Sequence, residues 1–290
     1  MANIKDLKKR IKTTKGTHKI TKAMKLVSAA KLSKAQSKIL SQRSYADELQ
    51  STVKMVASVV QNYQHPMIEN KFEDLPKILF VVSSDKGLCG GYNSGLMKRV
   101  RAFLRADKDK NKWTICHIGK KAKDFLSSEF KTDKHFKFAK ADANTEEMRQ
   151  LGFELSQLFL SGKVGKIYIA FNMFFSAMNY KPTIKQLLPF SLSVEELKSL
   201  EGKIVDFKYE PSAAEILDLL IPEVYNSSIQ TAIYDATASE HGARMVAMDS
   251  ASKNCAAVIK RLTIKMNKLR QAAITTELIE VVSGAESLKG

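Results

Sequence analysis

The chain has 290 residues, 44% of them hydrophobic and 27% charged, with a formal net charge of +17 at pH 7. That balance supports a packed core and is too apolar for a disordered chain, and no apolar run exceeds five residues, which excludes a membrane-spanning helix. Three scattered cysteines, Cys89, Cys116 and Cys255, suit neither a disulfide framework nor a zinc site, so a reducing compartment is expected.

The N-terminus is charged and carries no apolar signal core. From Met1 to His65 there is one glycine, Gly16, and no proline. A helix is expected from an Asn3 N-cap, with Asp6 in its first turn, to about Asn62 ahead of Pro66. At full length such a helix runs to roughly 90 Å, more than a compact domain of this size holds. It must pair with something. Its heptad seam passes through Ile4, Leu7 and Ile11, then Leu32, Ala35, Ile39, Gln42, Ala46, Leu49, Val53, Val56 and Val60. Between these stretches the seam is polar, at Thr14, His18, Thr21, Lys25 and Ser28, while Ile20, Met24 and Val27 form an apolar stripe about 100° round the helix. There the helix is expected to face a second neighbour.

After this helix, Ile78–Ser83 reads as a buried strand, followed by a glycine-rich loop and a helix from Asn93 to Ala106. A strand at Trp113–Ile118, helices at Lys120–Phe130 and Thr145–Leu160, and a strand at Lys166–Phe171 continue the alternation of βαβ units and a mostly parallel sheet. Thr183–Pro189 and Ile204–Tyr209 are candidate edge strands. Ser212 and Glu215 form a capping box after Pro211, Pro222 implies a kink or restart, and Gly284 fits a C-terminal cap. Between Glu223 and Ser283 there is again one glycine, Gly242, and no proline. The second seam runs through Met245, Met248, Ser252, Cys255, Ile259, Leu262, Met266, Leu269, Ala273 and Thr276. The expected fold is therefore α/β: a long antiparallel coiled coil of N- and C-terminal helices with a mostly parallel, Rossmann-like domain. The expected divisions are 1–65, 76–210 and 211–286.

Residues 1–43 hold 13 Lys or Arg against one acid, Asp6, and residues 250–276 hold six against none, so the rest of the chain is close to neutral. Antiparallel pairing would merge these segments into one basic collar, which suits nucleic acid or an acidic protein surface. No aromatic residue interleaves with the basic segment before Tyr45, and no zinc-finger or RNP-like motif is present. The loop Ser84-Asp85-Lys86-Gly87-Leu88-Cys89-Gly90-Gly91 matches neither phosphate-binding fingerprint and reads as a tight strand-to-helix turn. The five histidines share no metal spacing. Glu277 and Glu280 lie three apart on one helix face, suited to basic groups of a partner.

Four motifs then appear in order: Ile4-Lys5-Asp6-Leu7-Lys8-Lys9-Arg10-Ile11 with Lys19-Ile20-Thr21-Lys22-Ala23-Met24-Lys25-Leu26-Val27; Ser83-Ser84-Asp85-Lys86-Gly87-Leu88-Cys89-Gly90-Gly91; Ala238-Ser239-Glu240-His241-Gly242-Ala243-Arg244-Met245-Val246-Ala247-Met248; and Arg270-Gln271-Ala272-Ala273-Ile274-Thr275-Thr276-Glu277-Leu278. Over essentially its whole length the chain resembles the gamma subunit of F-type ATP synthases.

The resemblance implies a central rotor: a coiled coil inside a ring of three alpha and three beta subunits, with the α/β domain against epsilon and the membrane c-ring, one copy per complex and no nucleic acid. Catalysis, with its ATP, ADP and magnesium, would belong to alpha and beta, and this chain would be non-catalytic and without a cofactor. By position, Lys22, Met24 and Lys25 fall where the family's helix meets an acidic loop of beta, joined by Lys8 and Lys9 of the collar. Arg244, Gln271, Thr275 and Glu277 fall at the catch loops and bearing, and Phe207, Tyr209 and Glu210 at the c-ring and epsilon contact. Lys25 departs from the uncharged or acidic residue common there, and the chain lacks the cysteine-bearing insertion of chloroplast forms. The absence of a presequence favours a peripheral protein on the cytoplasmic face of a bacterial inner membrane, with the mitochondrial matrix side as the alternative for a mature organellar chain. The rival readings are a nucleic-acid-binding coiled coil and a nucleotide-using α/β enzyme.

Overall fold

The computed structural model describes residues 4–60, 63–68, 75–107, 112–136, 144–190 and 208–287. Its elements are α1 (Ile4–Val59), β1 (Lys77–Val82), α2 (Tyr92–Ala106), β2 (Trp113–Ile118), α3 (Lys120–Leu126), β3 (Thr132–Phe136), α4 (Thr145–Leu160), β4 (Lys166–Phe174), β5 (Tyr180–Leu188) and α5 (Ala213–Ser287). They form two compact units, residues 28–244 and residues 1–27 with 245–290.

In the larger unit a five-stranded sheet has the order β3-β2-β1-β4-β5. The first four strands are mutually parallel and β5 is antiparallel to β4. Chain geometry dictates the reversal, because parallel neighbours need a long crossover whereas a hairpin can only return antiparallel. The β4–β5 hairpin closes through Phe175 N–H to Asn179 O, 3.1 Å, and Asn179 N–H to Ser176 O, 3.2 Å. Central β1 is apolar on both faces, as a strand covered on both sides must be. Ile78, Phe80 and Val82 join the core formed with α4 and α5, which also takes Leu49, Val53 and Val56 of α1. Leu79 and Val81 join the opposite core with Leu96, Met97 and Val100 of α2 and Ala122 of α3.

In this unit α1 and α5 run antiparallel: Gln42 Nε2 donates to Ser227 Oγ at 3.0 Å, and Lys38 Nζ lies 5.6 Å above the Tyr234 ring. The expected seam positions Leu32, Ala35, Ile39, Leu49, Val53 and Val56 are all buried. The Ser212 cap is present, with Glu215 N–H donating to Ser212 Oγ at 3.3 Å.

Several expectations are corrected. The helix α5 passes through Pro222 without restarting, because Leu217, Ile221, Val224 and Tyr225 are buried in the core on both sides of the missing N–H. Gly284 is not a cap: α5 continues to Ser287, and Gly284 is not among the glycines with positive φ. The helix α3 stops at Leu126, its last buried residue, and a turn closed by Phe130 N–H to Leu126 O, 3.0 Å, delivers the chain to β3. That strand was not expected, and β4 and β5 are longer than their apolar cores suggest. Asn3, Asn62 and most of the Ile204–Tyr209 segment lie outside the described residues.

Candidate subunit-contact surfaces

In the smaller unit the start of α1 lies antiparallel to the second half of α5. Lys25 Nζ donates to Asp249 Oδ1 at 2.6 Å, and His18 Nδ1 lies 3.0 Å from Ser252 O and 3.1 Å from its Oγ. Leu7, Ile11, Thr21, Met248 and Ser252 are buried. In the polar stretch of the α1 seam His18 and Lys25 bond to α5, whereas Thr14 and Thr21 donate back to carbonyls of α1 itself. What remains open is the stripe beside it, where Ile20 and Val27 are exposed and Met24 is half-buried. Lys253 also reaches Asp249, at 2.7 Å. Hydrogen bonds from Lys25 and then Lys253 hold the Asp249 carboxyl down to about 2.

Two open grooves beside the helix pair take five of the lysines. Lys8, Lys12, Lys15 and Lys19, one helix face at i, i+4, i+7 and i+11, line a groove of about 620 Å³ with Ile11, Gly16, Thr263 and Met266. Lys9, Arg10 and Arg261 line another of about 680 Å³ with one acid, Asp6, and with Leu7, Thr13, Thr14, Val258 and Leu262. Each combines apolar side chains with a lining in which cations predominate. That combination fits an extended or helical segment carrying acidic side chains along one edge.

Beyond Ala273 the α5 seam is no longer covered. Ala273 is half-buried, whereas Thr276 and the candidate residues Gln271, Thr275 and Glu277 are exposed. Ile274, Leu278, Ile279, Val281 and Val282 are also exposed, an apolar concentration on a charged chain that marks a surface meant to be covered.

In the larger unit the glycine-rich loop folds on its own side chains. Leu88 and Gly90 take left-handed φ values of 62° and 56°. Ser84 N–H donates to Asn93 Oδ1 at 3.2 Å, Asn93 Nδ2 donates to Ser84 Oγ at 2.7 Å, and Lys120 N–H donates to Asp85 Oδ1 at 3.1 Å. Arg244 latches the loop from α5: Nη1 donates to Glu240 Oε1 at 3.0 Å, and Nη2 to the carbonyls of Lys86 at 3.1 Å and Gly87 at 3.4 Å. Its side chain is only 11% exposed.

Of the candidate residues, then, Lys8, Lys9 and Lys22 are exposed, Lys25 is engaged by Asp249, and Arg244 is spent inside the chain. Tyr209 packs against the core, Glu210 pairs with Lys208 at 2.5 Å on the surface, and Phe207 lies outside the described residues. Among the described residues, no group of three His, Cys, Asp or Glu is placed to hold a metal ion, and no helix is long and apolar enough to cross a membrane.

The sequence profile of the ATP synthase family matches residues 3–288. The ATP synthase gamma chain of Geobacter metallireducens is 39% identical over 291 residues, covering 100% of both chains. The chain belongs to the ATP synthase gamma family. The gamma chain of Trichlorobacter lovleyi is 38% identical over 292 residues, again with 100% of both covered. A chain of the Euglena gracilis mitochondrial ATP synthase, solved with OSCP, F1 and c-ring, shares the fold at a TM-score of 0.69 and 21% identity, covering 98% of this chain and 94% of that one. A chain of the Tetrahymena thermophila mitochondrial ATP synthase, from a structure of its central stalk and c-ring, does so at 0.58 and 24%, covering 80% of this chain and 99% of that one. Within the gamma family fold, sequence reasoning missed Asp249, Arg43 and Asp235. The signal for Asp249 was available: it precedes Lys253 by four residues, a helical ion-pair spacing.

Proposed function

We propose that this gamma-family chain is the central-stalk rotor of a membrane-bound F-type ATP synthase. It turns with the c-ring and drives the catalytic sites of three beta subunits, arranged with three alpha subunits, through successive states while performing no chemistry itself. The observation that supports this most is the uncovered end of α5 beside two cation-rich grooves: an apolar helix tip for a sleeve, and positive charge for acidic loops. Lys8, Lys9, Lys22 and Met24 would meet beta near the start of α1, and Gln271, Thr275 and Glu277 would meet the sleeve. Lys25 and Arg244 would act at one remove, through Asp249 and the glycine loop. Residues 76–210, including Tyr209, Glu210 and Phe207, would carry the c-ring and epsilon contacts, with residues 1–65 and 211–286 as the helical parts. The setting follows as the cytoplasmic face of a bacterial membrane, with one copy per complex.

Reconstitution provides the test. The isolated chain should show no ATPase activity, yet should restore ATP-driven ion pumping when combined with alpha, beta and the membrane sector. Equal pumping without it would overturn the reading.

A further inference from the structure

Near the end of β4, one arginine joins three elements. Arg43 of α1 directs Nη2 to Asp235 Oδ1 of α5 at 2.5 Å and to the main-chain carbonyl of Phe174 in β4 at 2.7 Å. The Phe174 N–H donates to the same Asp235 oxygen at 3.3 Å, closing the triangle. The Asp235 side chain is 2% exposed against 37% for Arg43. Burial raises the Asp235 carboxyl above its ordinary range, opposed by the charge and hydrogen bond of Arg43.

A buried ion pair of this kind contributes little net stability. Desolvation cancels much of the attraction, and apolar residues of similar size commonly do as well or better. Its distinguishing property is direction. Apolar seam contacts are non-directional, so by themselves they let one helix slide or roll against another by small steps, whereas hydrogen bonds weaken steeply once misaligned. Adjacent bonds tie α5 to the sheet region without α1: Ser239 Oγ donates to Asn172 O at 3.0 Å, and Tyr92 Oη to Ala236 O at 3.1 Å. Arg43 is what adds α1 to that set.

We infer that the Arg43–Asp235–Phe174 triangle fastens both long helices to the sheet so that the three turn as one body, and that Arg43 is a positioning residue for rotary coupling. This rests on the rotor reading. Torque entering through the sheet region would otherwise be partly lost as slip between α1 and its neighbours.

The test uses the full complex in vesicles, measuring ion pumping and ATP hydrolysis together. Arg43→Met combined with Asp235→Leu leaves no unpaired buried charge and preserves bulk. Assembly and hydrolysis should survive, while ions pumped per ATP fall about threefold or more, a loss in coupling and not in the chemical step. Arg43→Lys keeps the charge but cannot present one planar nitrogen to two acceptors in the same geometry, and should show a smaller fall in the same ratio. If the double variant fails to assemble, a fall in the ratio for Arg43→Lys still supports the fastening. An unchanged ratio in the assembled double variant would overturn it, as would failed assembly of the double variant with a full ratio for Arg43→Lys, the pattern of a purely structural pair. If the wild-type chain adds no pumping over alpha and beta with the membrane sector, the rotor reading falls and the fastening with it.

Discussion

Gly119, between β2 and α3, has φ 85° and ψ 137°, a conformation open in practice only to glycine. A Cβ there would lie 2.3 Å from the carbonyl oxygen of Ser83, 2.6 Å from its carbon and 2.8 Å from its Oγ. Ser83 cannot easily retreat. It is fully buried at the end of β1, its Oγ lies within bonding distance of the Ile118 and Gly119 carbonyls, and it accepts from Ala122 N–H at 2.9 Å. Backbone strain for a non-glycine residue is worth about 1–3 kcal/mol, and disturbing a buried hydrogen bond adds about 1–3 kcal/mol. We therefore expect Gly119→Ala to lose about 4 kcal/mol, a large share of the roughly 5–15 kcal/mol typical of a folded protein. Urea unfolding followed by Trp113 fluorescence reads this directly, because Trp113 is the chain's one tryptophan and is buried at the start of β2. Adding Ser83→Ala removes the hydroxyl but leaves the carbonyl contact, so it should not rescue the variant. A loss below about 1 kcal/mol would show that the β1 end yields cheaply, and the strain reasoning would fail.

Charge reversal of Lys8, Lys9 and Lys22 together should weaken assembly with alpha and beta or lower coupling, since exposed charges act weakly alone and jointly in a cluster; unchanged pumping would count against the collar as a contact. For Asp249, the folded-state pKa lies below the ordinary carboxylate value, so its contribution to stability is present above about pH 4 and is lost as pH falls through about 2. Carboxyl NMR should give a midpoint near 2 that rises in Lys25→Ala. Arg244→Ala should release the carbonyls of Lys86 and Gly87, a loss of about 1.5–3 kcal/mol for bonds from a charged donor. Faster amide exchange confined to the glycine loop and α5 near Glu240 would register it, and unaltered exchange would show the latch to be idle.

The seams were legible because heptad spacing is imposed by packing: α1 buries Leu7, Ile11, Leu32, Ala35, Ile39, Leu49, Val53 and Val56 on that stepping, half-buries Gln42 and Ala46, and buries Thr21 and Ser28 of the polar stretch as well. In β1 the apolar run Ile78–Val82 announced a strand covered on both faces. The edge strand β3 was not legible, since Thr-Asp-Lys-His-Phe has one sheet neighbour and a largely polar sequence, close to that of a loop. Of the kink or restart expected at Pro222 the restart does not occur, because core packing holds the helix on both sides, and Gly284 misled because the helix simply continues past it. The candidate contacts were legible in position but not in engagement. A motif locates Arg244, yet only the folded loop reveals that its guanidinium is already occupied. The charge tally hid Asp249 by starting one residue after it, which concealed the acid that organises Lys25 and Lys253.

Lys25 and Asp249 are 224 residues apart in the chain, and Gln42 and Ser227 are 185 apart. At a ribosomal pace of about 5–20 residues per second, the apolar seam of α1 waits roughly 10–45 seconds for the helix that will cover it. During that interval the part of α1 ahead of Leu49 is a long amphipathic segment whose α5 partner does not yet exist, whereas Leu49, Val53 and Val56 share a core with β1 and α4, which are made earlier. Its helical propensity must then be sustained by the exposed, lysine-rich face, and nascent α1 should be a substrate for holding chaperones. Biogenesis of this chain is thus set by the separation of its two ends in time, and a translational pause placed before Ala213 should lower the yield of soluble protein more than the same pause placed after Arg270.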